Sequence, residues 1–433
     1  MPIARRSNIK MMLSRALCFF AAGLLLAQPA ADPTATAKKA LDLLMAQNYP
    51  EYSGMASPSY KSTMSEQAFG KLTAEIKGWG AVEKTGEPSV EKMGPTTLVT
   101  FPVSFATRNV NFRFAINASG QVAAMYPMPG ETAWQRPFYS KPDSFKERAV
   151  IFGEEPWKLP GTLAVPNGAG PFPAVVLVQG FGPKDRDDTT GALKPFHDLS
   201  DGLASRGIAV LRYDKRRWHY GSRVSGKPYT ADDDTIEDAL AALAFVRTQP
   251  EVDPKRIFLM GHDQGGYLAP RIANDDGKLA GLILMGANQR PLEDVMLDQI
   301  QYLGVTGADL ETAKSAVARV KSLEPSDADA PPLLGLPATY WLNLKGYDPA
   351  AEAKKLTIPI LILQGERDFQ VGMKDFDLWK SGLAGKKDVT ARSYPALNHM
   401  FVAGEGKSSE TEYRKPGHVA PETIDELAKF MGK

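Results

Sequence analysis

The sequence predicts an α/β protein built on a mostly parallel, doubly wound sheet, preceded by a smaller α+β unit. Two observations predict it. Between residues 174 and 363, short apolar runs of buried-strand type alternate with helix-length segments, the pattern of parallel strands joined by helical crossovers. Ahead of them, residues 33–128 show helical spacing first and alternating strands afterwards, an α+β order. A length of 433 residues exceeds one average domain, and an apolar share of 43% can fill more than one core.

Residues 1–31 read as a targeting segment. Arg5, Arg6, Lys10 and Arg15 form a positive leader, an apolar run follows over 16–27, and Ala27, Ala30 and Ala31 supply small residues for cleavage. The run is short for a bilayer span, so a secretory signal peptide is expected, with a retained signal anchor as the alternative. Arg5-Arg6 ahead of Ile9-Lys10 echoes a twin-arginine signal without its usual Phe-Leu pair. The only cysteine, Cys18, falls inside this leader. The mature chain is therefore expected to hold no disulfide, no cysteine nucleophile and no cysteine-ligated metal, which suits a periplasmic or secreted protein. No stable membrane span is expected after cleavage. A formal net charge of +1 argues against a nucleic-acid partner, which would need a basic surplus, and gives no attraction to anionic membranes.

The α+β unit is expected to carry helices over 35–47 and 65–78 and strands over 98–103, 110–115 and 122–125, with a turn at 117–120. A linker rich in proline and aromatic residues covers 129–142. From 143 to 433 the α/β pattern holds, with strands at 174–178, 209–211, 257–260, 281–285 and 360–363 and helices over 196–206 and 235–248. Residues 288–350 are mostly helical and interrupt the alternation, which marks a cap insertion.

Gly261-His262-Asp263-Gln264-Gly265-Gly266 follows a strand and opens a helix. That is the context of a nucleophile elbow, ordinarily Gly-x-Ser-x-Gly. Gly261 and Gly265 keep side chains out of a turn too tight to hold them, and the residue between is pushed into the site. Here that residue is Asp263. No second Gly-x-Ser-x-Gly occurs in the chain.

Residues 143–433 resemble the α/β-hydrolase superfamily, and in particular secreted bacterial esterase-like members with a preceding accessory domain. The resemblance rests on Val178-Gln179-Gly180-Phe181-Gly182-Pro183, Asp185-Arg186-Asp187, Arg212-Tyr213-Asp214-Lys215-Arg216, the elbow, Leu363-Gln364-Gly365-Glu366-Arg367-Asp368 and Leu397-Asn398-His399. Relatives usually carry His-Gly at Gln179-Gly180 and serine at Asp263. Residues 33–128 resemble the cone-shaped nuclear-transport-factor-like domain found ahead of some such hydrolases. The order nucleophile, acid, histidine implied by the resemblance gives Asp263, Asp368 and His399. The backbone N–H groups of Phe181 and Gln264 are implied as the oxyanion hole. His262 is read as structural.

An aspartate is already ionised near neutral pH and can attack an electrophilic carbon without prior deprotonation. His399, oriented by Asp368, would then activate water. This elbow is similar to that of epoxide hydrolases and shares its aspartate with haloalkane dehalogenases, which implies alkyl-enzyme chemistry as one alternative, with Tyr302, Tyr340 and Tyr347 as candidate cap acids or as core tyrosines. The first expectation is an exported hydrolase of small carboxylic esters. A catalytically impaired binding or scaffold protein of the same fold is the other alternative. No cofactor or metal is expected: no histidine or carboxylate spacing resembles a zinc site. The acidic runs 185–188 and 232–234 are read as a solvated loop and an acidic helix start rather than a cation site.

Overall fold

The computed structural model describes residues 32–106, 108–130, 134–221, 224 and 228–432. The targeting segment read at 1–31 lies outside them. Among the described residues, no helix is long and apolar enough to cross a membrane. The chain divides into two compact units, 1–130 and 131–433.

The first unit opens with four helices, α1 (Pro33–Met45), α2 (Tyr49–Met55), α3 (Pro58–Thr63) and α4 (Glu66–Gly78). Asp32, Asn48, Ser57 and Ser65 each cap one of them by accepting a backbone N–H in the first turn. The sequence reading missed α2 and α3, which are too short to show a helical period. Five antiparallel strands follow: β1 (Val82–Thr85), β2 (Ser89–Met93), β3 (Thr96–Phe105), β4 (Arg108–Ile116) and β5 (Val122–Pro129). Alternate residues of β3 and β4, including Phe101, Val103, Phe112 and Phe114, face inward onto Ala37, Leu41 and Leu44 of α1. β1 and β2 are exposed along their whole length, so they carry no apolar alternation to read.

The second unit is the predicted α/β fold. Its strands are β6 (Phe145–Phe152), β7 (Leu159–Pro166), β8 (Phe172–Val178), β9 (Ala209–Tyr213), β10 (Val252–His262), β11 (Gly281–Met285), β12 (Ile360–Gly365) and β13 (Val389–Tyr394). They form one sheet in the order β13-β12-β11-β10-β8-β9-β7-β6. The first six strands of that order are parallel, and β7 and β6 close one edge as an antiparallel pair. Successive residues alternate between two cores. Val176, Leu259, Leu282 and Ile362 pack with α7 (Glu237–Arg247), α8 (Gln264–Asp276) and α13 (Met373–Gly382). Val175, Met260, Ile283 and Leu363 pack with α5 (Pro195–Ala204) and α14 (Pro421–Phe430) on the other face. Helices on both faces explain why the central strands read as unbroken apolar runs. A short helix, α6 (Arg216–Tyr220), follows β9.

Between β11 and β12 the chain forms α9 (Leu292–Tyr302), α10 (Gly307–Lys321), α11 (Ala338–Leu344) and α12 (Pro349–Lys355), the helical insertion marked by the broken alternation. Residues 134–142, the described remainder of the segment read as linker, are tied into this unit. Trp134 Nε1 donates to Asp198 Oδ1 at 2.7 Å, Ser140 Oγ to Asp201 Oδ2 at 2.7 Å, and Tyr139 Oη to the Val419 carbonyl at 2.8 Å.

Candidate active site

β10 runs down the middle of the sheet and turns sharply into α8, and Asp263 sits at the bend. Its backbone, φ 52° and ψ −123°, lies where a non-glycine residue is strained. The turn is held by Asp263 N–H on the Met285 carbonyl at 3.0 Å, and by Gly266 and Tyr267 N–H on the Asp263 carbonyl, both at 3.0 Å. Neither flanking glycine has room for a methyl group. A Cβ on Gly261 would lie 2.3 Å from Gly265 O, and one on Gly265 would lie 2.4 Å from Val178 O. The side chain of Asp263 is partly exposed, whereas its neighbours His262 and Gln264 are buried.

The loop after β8 faces the bend. Phe181 N–H donates to Asp263 Oδ2 at 2.9 Å, so this predicted oxyanion donor meets the aspartate itself. Gln264 begins α8, and its N–H is one of those a helix leaves without an internal acceptor. Its side chain is fully buried.

Asp368 lies in the turn after β12, and His399 in the loop after β13. His399 Nδ1 and Asp368 Oδ2 are 2.7 Å apart, and both residues are buried. The acid is fixed on both oxygens. Oδ1 accepts from the N–H groups of Gln370 and Val371, both at 2.8 Å, and Oδ2 also accepts from Gln364 Nε2 at 3.1 Å. Burial pulls the His399 imidazole below its ordinary pKa. The charge and hydrogen bond of Asp368, with the charges of Asp263 and Asp188, outweigh it and leave the pKa raised.

A second buried His–Asp pair stands behind the first. His262 Nδ1 lies 2.8 Å from Asp188 Oδ2, and its Nε2 lies 2.9 Å from the His399 carbonyl. Burial raises the Asp188 carboxyl, but Lys184 and His262 more than reverse this and hold it below the usual carboxylate range. His262 thus anchors the backbone that presents His399, consistent with the structural role read for it. Its partner Asp188 was missed, because it lies 74 positions away in the acidic run.

That run is not a solvated loop. Asp185 accepts from Thr189 N–H and Oγ1 at 2.9 and 2.6 Å, and Asp187 pairs with Arg212 and Lys194. In the second run, Asp232 pairs with Arg271 at 2.8 Å, Asp233 caps Thr230 N–H at 2.9 Å, and Asp234 pairs with Lys215 at 2.8 Å. Gln179 donates its amide to the Tyr213 and Asp185 carbonyls. No spacing signal in the sequence announces these partners.

Of the cap tyrosines, Tyr302 donates to the Ser408 carbonyl at 2.9 Å and Tyr347 to the Tyr267 carbonyl at 3.0 Å. Tyr340 is buried, and burial lifts its hydroxyl well above the ordinary range, with Asp234 and Asp263 adding to the rise. His197 stacks on Trp134 at 3.6 Å, and His418 Nδ1 lies 3.1 Å from Asp198. Among the described residues, one group could offer a metal three donors within 4.8 Å: Glu147, His197 and Asp201. Arg212 already holds Glu147 at 2.8 Å and Arg136 holds Asp201 at 3.2 Å, so cations occupy that position.

Residues 175–405 match the family model described as the alpha/beta hydrolase family, and residues 37–125 match a family of proteins of unknown function, DUF3887. The chain is 35% identical over 401 residues to Esterase EstD of Thermotoga maritima, covering 90% of this chain and 93% of that protein. Among solved structures, Est1E from Butyrivibrio proteoclasticus aligns at a TM-score of 0.46 and 17% identity, over 66% of this chain and 99% of that one. The Pyrococcus furiosus esterase Pf2001 aligns at a TM-score of 0.44 and 15% identity, over 70% and 97%.

Proposed function

The chain belongs to the alpha/beta hydrolase family, and from that premise we propose that it cleaves small carboxylic esters with Asp263 as nucleophile, His399 as proton carrier and Asp368 as the acid that orients it. It is a carboxylesterase-like hydrolase, by its 35% identity to Esterase EstD over most of both chains. The observation that carries the residue assignment is the buried 2.7 Å contact of His399 with Asp368, with the negative charge of Asp263 acting on the same ring.

The chemistry runs in two steps. Oδ1 of Asp263 attacks the ester carbonyl carbon while Phe181 N–H holds Oδ2. The acyl carbon–oxygen bond to the alcohol breaks, and the alcohol leaves with a proton from the His399 imidazolium, whose raised pKa keeps that form available. Water then adds to the resulting anhydride and gives its proton to the now neutral His399, which releases the carboxylic acid and restores Asp263. Acylation removes the charge of Asp263, one of the charges that raises His399. The imidazole therefore becomes easier to keep neutral in the step that needs a base.

A second reading, alkyl-enzyme chemistry on an epoxide or haloalkane, is favoured by the 2.9 Å bond from Phe181 N–H to Asp263 Oδ2. In an alkyl ester of Oδ1 that same Oδ2 is the carbonyl oxygen, so the donor already sits where charge develops when water attacks. Turnover of p-nitrophenyl esters, epoxides and haloalkanes separates the readings. With esters as the preferred class, Asp263→Asn and His399→Ala are each expected to lower kcat by about 10²-fold or more. Full activity in either variant would remove that residue from the mechanism. Turnover in heavy-oxygen water, read by mass spectrometry of the Asp263 peptide, tests whether water attacks the enzyme carboxyl. Label is required by the alkyl route, whereas direct attack of water on the substrate leaves Asp263 unlabelled. Export to the periplasm or exterior, carried by the leader over 1–31, is part of the same proposal.

A further inference from the structure

The motif Arg212-Tyr213-Asp214-Lys215-Arg216 has no part in the chemistry above, yet one of its side chains reaches the site from behind. Lys215 follows β9 and is 2% exposed, deep for an ammonium. It has two acceptors: Asp234 Oδ2 at 2.8 Å and the Gly180 carbonyl at 3.2 Å. The Gly180 carbonyl belongs to the peptide unit whose N–H, that of Phe181, donates to Asp263 Oδ2 at 2.9 Å. A trans peptide points its C=O and N–H in opposite directions. A cation therefore grips one end of this peptide while the reacting carboxylate meets the other.

We propose that Lys215, held by Asp234, is a positioning residue that fixes and strengthens the Phe181 N–H donor. The proposal rests on the reading that this N–H serves the reacting centre. Its first basis is mechanical. Glycines flank Phe181 on both sides, Gly182 at φ +87°, so the loop is not stiff by itself. Turning the N–H away from Asp263 would also break a buried charge-assisted hydrogen bond at the carbonyl. The second basis is electronic. An ammonium on a peptide oxygen, in a place where water does not screen it, draws charge through the amide and makes its N–H a stronger donor. Asp234, itself 4% exposed, balances the ammonium and keeps it at the carbonyl rather than elsewhere.

The test uses the full chain with Lys215→Met and, because a lone buried Asp234 could block folding, the paired variant Lys215→Met/Asp234→Asn. Ester kinetics and the amide resonance of selectively labelled Phe181 are measured on each. The expected result is a kcat about tenfold lower with KM within about twofold, short of the ~10²–10³-fold loss on deleting an oxyanion donor. An upfield shift and faster hydrogen exchange of the Phe181 amide should accompany it. A folded paired variant with unchanged kcat would overturn the proposal, as would a fall in kcat with the Phe181 resonance unmoved. Loss of the whole reading is distinguishable: Asp263→Asn or His399→Ala would then keep activity, while the Phe181 resonance would still report whether Lys215 holds the peptide.

Discussion

His399 sits between charges of known sign, and this fixes the direction of its pH response. Asp368 is the largest of the contributions that raise its pKa. With p-nitrophenyl esters the leaving group needs no proton, so His399 is needed only as the neutral base that helps water open the anhydride. kcat, limited by that hydrolysis, is then expected to rise with pH as the imidazole loses its proton, with a midpoint that Asp368 holds up. Asp368→Asn removes the charge that does most of the raising. Besides a large loss of rate, it should move that midpoint downward, as read from a pH profile of the residual activity. An unmoved midpoint would separate Asp368 from the titrating group. The same contact is also a stability term. A folded pKa above the unfolded one stabilises fully below about pH 6.5 and ceases to do so as pH rises through the raised value. Among single residues, the contact of His399 with Asp368 was legible because the order of motifs along the chain marks both. Asp188 and Lys215 were not, because an acidic run and a basic one look alike whether solvated or buried. Their partners lie 74, 35 and 19 positions away, at His262, Gly180 and Asp234.

The elbow is the element on which the site depends, and its tolerance can be stated. A methyl group on Gly265 would meet Val178 O at 2.4 Å and Gln179 O at 2.6 Å, both on the backbone at the end of a central strand. Neither can yield without moving β8. Gly265→Ala is therefore expected to cost about 3 kcal/mol or more, near the upper end for overpacking, seen as a lower urea midpoint or a failure to fold. A wild-type midpoint would contradict the tight turn. The strands beside the elbow were legible because burial on both faces leaves apolar runs with little else in them. β6 and β7 were not. They form the antiparallel edge, where Lys146, Glu147 and Arg148 lie outward along β6 and hide the strand among polar residues.

At the scale of the whole molecule, the two units have separate cores. Phe101, Phe112 and Phe114 belong to one, and the sheet from β6 to β13 supplies the others. Calorimetry is expected to resolve two transitions, the larger from residues 131–433, rather than one two-state peak. A single transition with equal calorimetric and van't Hoff enthalpies would show that the units melt as one. Over many rounds of turnover, the seat that Asp263 takes at Phe181 N–H has a further effect. Ester cleavage releases an acid that ionises near neutral pH, and the donor that would otherwise retain this anion is again occupied by a fixed negative charge. The spent acid is repelled from the pocket, so accumulating carboxylate should slow this catalyst far less than it slows an Asp263→Ser counterpart.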